Sequence, residues 1–255
     1  MTMNIDWQGK MRPVIAEDTC ADGTKKFLVQ LDYGLKAWVP ERFVNTPLYE
    51  RNAARQSIVV CDDFYKDPHA VREFALEQNY HADLKYFKGR RSDDRYLWPF
   101  LKEEFESLLK VEITDWLTQS ANGVFQQTES TDPIVWHSDH QDYAAAIYLT
   151  PDASPNTGTS FWRDKNFKCR RPPTHASESS RFPEGTARDV MQTVFTNTSV
   201  VNPDAWELVD SVGAIFNRLV IWDAQMIHSA TSYADFTNNK ARLVQLFFFN
   251  VKRDK

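Results

Sequence analysis

The chain has 255 residues, 42% hydrophobic and 13% aromatic, with 8 Trp and 17 Phe, which is enough apolar side chain for a sizeable core. Its net charge of −5 argues against a nucleic-acid grip built on general basicity, and 8 Gly with 12 Pro exclude a fibrous or low-complexity chain. Three cysteines, Cys20, Cys61 and Cys169, with no C-x-x-C pair, offer neither a disulfide framework nor a zinc ribbon. No basic leader with an apolar run opens the sequence, and no stretch approaches the length of a membrane span. The expectation is a cytoplasmic protein with no nucleic-acid partner and no membrane.

In chain order, residues 1–52 read as a small β module. Lys26-Phe-Leu-Val-Gln-Leu-Asp-Tyr-Gly34 partly alternates and then turns at Gly34. The pattern suits an SH3-like partner-binding unit or an appendage packed on the main domain. Residues 53–255 read as a second domain. Ile58-Val-Val-Cys61 is a short strand. Asp67-Pro68 opens a helix, the carboxylate capping free amides and the proline sitting where its missing N–H costs nothing. Val71, Phe74 and Ala75 share its apolar face. Residues 82–96, rich in Lys, Arg and Asp, read as a solvated loop or a substrate-facing one. A helix is expected from about Pro99 to Leu109, and a further short one through Ile113, Trp116 and Leu117.

From Gly123 the texture turns to β: 123–128, Ile134 to His137, Tyr143 to Leu149, and Thr159 to Arg163 after a turn at Asn156-Thr-Gly158. Residues 164–202 are mostly polar and read as a long insertion, either a lid over a site or a solvated loop. Pro203 to Val209 reads as one short helix. Arg218 to Trp222 and Arg242 to Phe249 are the last two strands.

The chemistry concentrates in Trp136-His-Ser-Asp-His140. On an extended strand, residues two apart project from one face, so His137 and Asp139 stand side by side. They form two thirds of a 2-His-1-carboxylate site for non-haem Fe(II). A third ligand should stand on a rigid element, which favours His228, 89 positions after Asp139, over His175 in the polar insertion. Fourteen positions further on, Arg242 opens the most apolar strand. By period two it points with Val244, Leu246 and Phe248, and a guanidinium aimed into an apolar interior needs an anion. Asp142 and Asp223 would either orient the ligand imidazoles or cap strand ends.

A His-x-Asp pair, a distant His and then a basic residue is an order that resembles the Fe(II)/2-oxoglutarate-dependent dioxygenase superfamily, particularly its prolyl-hydroxylase-like branch. Gly158-Thr-Ser-Phe-Trp162, Asn217 to Asp223, and Arg242-Leu-Val-Gln-Leu-Phe247 add to the likeness over about residues 123–250. The resemblance implies a mainly β fold with flanking helices, the double-stranded β-helix or jelly roll. It implies Fe(II) on His137, Asp139 and His228. It further implies 2-oxoglutarate and dioxygen as co-substrates, with Arg242 on the far carboxylate of the former. That residue is often Lys in the prolyl-hydroxylase branch. Lys240 ranks behind Arg242, and Tyr148 would supply a hydroxyl to the same carboxylate. The expected outcome is hydroxylation of a small molecule, amino acid or peptide side chain; Asp139 argues against halogenation, which needs that position vacant. Two alternatives stay open: a non-catalytic jelly-roll binding or assembly protein, and a facial-triad metal enzyme that does not use 2-oxoglutarate.

Overall fold

The computed structural model describes residues 3–7, 10–41, 44, 56–82, 88–173, 191–195, 200–236 and 240–252. They belong to two units, Met1–Arg55 and Gln56–Lys255. In the first, strands β1 (Asn4–Trp7), β2 (Lys10–Thr19), β3 (Lys25–Gln30) and β4 (Lys36–Pro40) form an antiparallel sheet in sequential order. Alternation puts Phe27 and Val29 on one face, where they pack with Ile5 and Val39.

The described residues of the second unit form ten strands and, around His137, one further bridged segment. The strands are β5 (Ile58–Cys61), β6 (Tyr80–His81), β7 (Arg90–Ser92), β8 (Val124–Thr128), β9 (Tyr143–Tyr148), β10 (Thr159–Asp164), β11 (Trp206–Val212), β12 (Leu219–Asp223), β13 (His228–Ala230) and β14 (Arg242–Phe249). The large sheet runs β5-β12-β9-β14-β8-β7-β6, and the small one β11-β10-β13. An antiparallel bridge between His137 and His228 adds the segment around His137 to the edge of the small sheet. Eight segments are thus divided equally between two sheets, in the orders β8-β14-β9-β12 and 137-β13-β10-β11. This is the double-stranded β-helix, and the mainly β class expected from the sequence is observed.

Period two divides the large sheet's apolar residues between two cores. Ala144, Ala146 and Tyr148 of β9, Val220 and Trp222 of β12, and Val244 of β14 point inward and meet Phe161 of the small sheet. The alternate residues, among them Ile147, Leu219, Ile221, Phe247 and Phe249, point outward and are covered by helices α1 (Pro68–Leu76) and α2 (Pro99–Leu109). Asp67 caps α1 by accepting from the Ala70 amide at 3.0 Å, as the sequence predicts. Phe105 of α2 is fully buried between Phe64, Trp116 and Phe247.

Three expectations are corrected. Residues 113–117 form turns rather than a helix. Trp116 stacks on Phe247 with ring centroids 5.7 Å apart, and Asp115 accepts the Asn250 amide, so packing on β14 dictates their conformation. The span from Pro203 is helical only as a 3-10 turn to Ala205; it continues as β11, whose backbone groups pair with β10. Residues 82–96 include strand β7, which joins the large sheet through Arg90↔Gln127 and Arg91↔Gln126. Of the 164–202 insertion, residues 191–195 form a helical turn whose Met191 and Val194 pack with Trp136, Trp206 and Ile227. His175, Arg181 and Arg188 lie outside the described residues. No helix among the described residues is long and apolar enough to cross a membrane.

Candidate metal centre

The bridge between His137 and His228 brings the distant histidine to the His-x-Asp pair. Each residue's amide donates to the other's carbonyl, at 3.1 Å and 2.8 Å. The Asp139 amide donates to Ala224, tying the carboxylate to the turn that precedes His228. One ligand atom from each of His137, Asp139 and His228 lies within 4.8 Å of the others. The imidazole centroids are 4.3 Å apart, and His228 Nε2 is 3.4 Å from Asp139 Oδ2.

The tautomers follow from the partners. His137 Nδ1 lies 3.0 Å from the Val135 carbonyl, and His228 Nδ1 lies 2.8 Å from that of Met226. A carbonyl can only accept, so each Nδ1 carries a hydrogen and each Nε2 is the ring nitrogen turned to the site. Backbone carbonyls thus orient both rings. Asp142 accepts the Val251 amide, while Asp223 accepts that of Gln225 and pairs with Arg171, so the capping reading of these two acids is the one observed.

Charge and burial suit a cation here. Asp139 Oδ2 is buried without a hydrogen-bond partner at normal distance and lies 3.4 Å from His228 Nε2. Desolvation alone would raise the Asp139 pKa. His228, His137 and Arg91 outweigh it and bring the group down to about 2, so it is ionised at neutral pH. Desolvation, and then the neighbouring His228, lower the pKa of His137, which keeps that ring neutral although one edge opens to the cavity. Two imidazoles and a carboxylate form a borderline nitrogen and oxygen donor set that fits a first-row divalent ion and leaves coordination positions open.

These residues line a cavity of ≈ 510 Å³ that also contains Arg242. Arg242 is 6% exposed; its Nε–H donates to the Thr157 carbonyl at 3.0 Å, and its guanidinium lies over the Tyr148 ring at 5.3 Å. Among the described residues no carboxylate pairs with it. Tyr148 opposes Val244 across β9 and β14, which puts it on the inner face, and its hydroxyl is 2.8 Å from Thr159 Oγ1. The hydroxyl-bearing residues that line the cavity are Thr159, Ser229 and Tyr233, the last with its ring 5.9 Å from the Arg242 guanidinium. Lys240 is exposed.

Sequence reasoning did not find the lining residues Gln126 and Tyr233, and it left Lys88 and Arg91 between a solvated and a substrate-facing loop. For Arg91 the solvated-loop reading is corrected, since burial lowers its pKa to about 10 and Nε donates to Gln126 Oε1 at 2.8 Å. Strand β7 is three residues long, too short for alternation to register, and its partner lies 35 positions away.

A family model described as a family of unknown function, DUF6445, matches residues 45–242. No curated protein matches the sequence. Among solved structures, HygX from Streptomyces hygroscopicus with nickel and 2-oxoglutarate bound is similar at 11% identity. That match covers 77% of this chain and 83% of the other, with a TM-score of 0.44. The Fe(II)/α-ketoglutarate-dependent dioxygenase TqaL is similar at 13% identity, over 78% and 84%, with a TM-score of 0.34. The non-heme iron oxygenase OrfP in complex with Fe is similar at 15% identity, over 72% and 79%, with a TM-score of 0.31. At these scores the likeness is no more than a resemblance; it is the strand order that establishes the barrel.

Proposed function

The chain belongs to the DUF6445 family of unknown function, and from its own site we propose that it is an Fe(II)- and 2-oxoglutarate-dependent oxygenase. The observation that carries the reading is the shared cavity: two imidazoles and a carboxylate with one buried, donorless oxygen at one place, and an inward guanidinium without a described carboxylate partner at another. Neither feature serves an apolar core, and each supplies what the other's ligand needs. A place near the prolyl-hydroxylase-like branch is part of this proposal, with Arg242 departing from the Lys that branch often has.

His137 Nε2, Asp139 Oδ and His228 Nε2 would hold the iron. With 2-oxoglutarate and dioxygen, that group supplies oxidative decarboxylation to succinate and carbon dioxide, coupled to hydroxylation of a C–H bond. The remaining work belongs to the protein. The Val135 and Met226 carbonyls keep both imidazoles in the ligating tautomer. Arg242 binds the distal carboxylate, with Thr159 and Tyr233 offering hydroxyls beside it. The walls made by Trp222, Leu246 and Phe248 keep bulk water from the reacting C–H bond.

The test is metal binding followed by turnover. Purified protein should bind Mn(II) or Fe(II), and His137→Ala and Asp139→Ala should each lower that affinity at least tenfold. With Fe(II), dioxygen and a panel of amino acids and small acids, the wild type should form succinate from 2-oxoglutarate and the variants should not. A protein with no affinity for either ion would instead support a jelly-roll scaffold. Metal binding without 2-oxoglutarate binding would point to a facial-triad enzyme of another kind.

A further inference from the structure

We propose that the substrate of this oxygenase is a neutral molecule bearing an amide on an apolar body, its carbonyl accepting from the side chain of Gln126 and its N–H donating to that of Gln141. The proposal rests on the oxygenase reading and adds the substrate class.

The polar groups of the cavity wall already have work, with one exception. His137, Asp139 and His228 are given to the metal, and Arg242, with Thr159 and Tyr233, to the distal carboxylate of 2-oxoglutarate. Lys88 and Arg91 are engaged within the protein; Arg91 donates from Nε to Gln126 and interacts with Asp139. Ser229 Oγ takes the Trp162 Nε1–H and donates to the Ala230 carbonyl. Two half-buried glutamines remain, Gln126 and Gln141, each with one end of its amide committed.

The committed end fixes what the other end offers. A guanidinium Nε–H only donates, so the Gln126 atom 2.8 Å from Arg91 Nε is the carbonyl oxygen, and Nε2 with its two hydrogens is turned elsewhere. Gln141 is fixed through two neighbours. The Asp115 carboxylate takes hydrogens from Asn250 Nδ2 and Gln119 Nε2, which leaves Gln119 Oε1 as an acceptor. Gln141 presents Nε2 to that oxygen at 3.2 Å, so its own Oε1 faces away. Among the described residues, neither Gln126 Nε2 nor Gln141 Oε1 has a partner.

The wall thus offers one donor and one acceptor, both neutral, and an amide carries the complement of each. Both stand at the aromatic end of the cavity. The Arg91 side chain that Gln126 holds reaches the Phe248 ring, 6.0 Å away, and Gln141 lies two residues before Tyr143, which pairs with Phe249. Gln141 also follows Asp139 by two residues, so a molecule held there lies beside the metal ligands. Phe248, Leu246, Val135 and Pro133 supply an apolar wall for the rest of the molecule.

The experiment is binding, not turnover. Full-length protein loaded with Mn(II) and saturating 2-oxoglutarate is titrated calorimetrically with matched pairs, an amide and the ester of the same skeleton. The pairs are N-benzylacetamide with benzyl acetate, and the methylamides of N-acetyl-L-leucine and N-acetyl-L-phenylalanine with their methyl esters. Each ester keeps the carbonyl and lacks the N–H. At least one amide should bind, and its ester roughly 5- to 100-fold more weakly, because the Gln141 carbonyl is then left unpaired. Gln141→Met should bring the amide down to within about twofold of the ester, with Mn(II) and 2-oxoglutarate affinities within about twofold of wild type. Gln126→Glu still accepts the Arg91 Nε–H but puts an oxygen where the donor stood. Amide and ester should then weaken together, by at least about fivefold, and the preference between them should persist. The proposal is overturned if no amide binds, if esters bind as tightly as amides, if the preference survives Gln141→Met, or if Gln126→Glu leaves amide affinity unchanged. It is also overturned if Gln141→Met weakens metal, amide and ester alike, since Gln141 would then merely support Asp139. Should the wild type fail to bind Mn(II) and 2-oxoglutarate, the oxygenase reading falls with it; if it binds both and refuses the amides, only the substrate class falls.

Discussion

Replacing Arg242 by Met keeps a long side chain and removes the charge, and the structure predicts opposite consequences for the free and the loaded protein. In the free protein the guanidinium is desolvated and held by neutral groups, the Thr157 carbonyl and the side chain of Tyr148. Removing such a cation should leave stability within about 1 kcal/mol of wild type, or raise it. In the loaded protein the same group is half of a buried charge pair, and truncating one half costs roughly 2–5 kcal/mol, or about 30-fold to several thousandfold in affinity. Thermal unfolding with Mn(II), with and without 2-oxoglutarate, reads both effects. At about 100 times its Kd, 2-oxoglutarate stabilises the wild type by ~2.7 kcal/mol, a rise of roughly 5–10 °C for a unit of this size. The variant should rise by less than about 3 °C. An equal rise in both proteins would refute the assignment of Arg242 to the co-substrate.

Two other perturbations test the site's electrostatics and its scaffold. Asp139 has a folded-state pKa of about 2 against an ordinary 3.8, so it contributes stability above the ordinary value that is lost as pH falls towards 2, about 2 kcal/mol in all. His137 acts in the same sense from higher pH. Its lowered pKa means the unfolded chain takes up the proton first, so stability starts to fall as pH drops through 6.5. Urea unfolding of metal-free protein across pH 7 to 2.5 should show both legs, and Asp139→Asn should flatten the lower one; an unaltered lower slope in that variant would contradict the account. Gly158→Ala should destabilise by about 1–3 kcal/mol and weaken 2-oxoglutarate binding. A methyl there would overlap the Val212 carbonyl oxygen, and because the obstacle is backbone, the start of β10 must shift, carrying Thr157 and Thr159 with it. Stability within about 0.5 kcal/mol of wild type would show that this junction yields freely.

What could be read without coordinates was whatever depends on neighbours in the chain. Period two told that His137 and Asp139 share a face and that Arg242 points with Val244, because alternation is a property of one extended strand. Asp67-Pro68 marked a helix start for the same local reason, and chain order with the metal-ligand chemistry selected His228 over His175. Only the tertiary structure decided what depends on pairing between distant segments. The spacing of Ile113, Trp116 and Leu117 suits a helix, yet a loop packed on β14 buries Trp116 just as well, and the strand pairing of β11 likewise overrode the apparent helix after Pro203. The orienting partners of both imidazoles are carbonyls whose position depends on the 137–228 bridge, so sequence could equally suggest Asp142 and Asp223. Arg91 looked like one charge among many in a polar stretch, and its direction became defined only by Gln126, 35 positions away on the next strand. Sequence carries the period of each strand; register and contact between strands are properties of the folded barrel, and the place of Arg91 in the cavity wall exists only there.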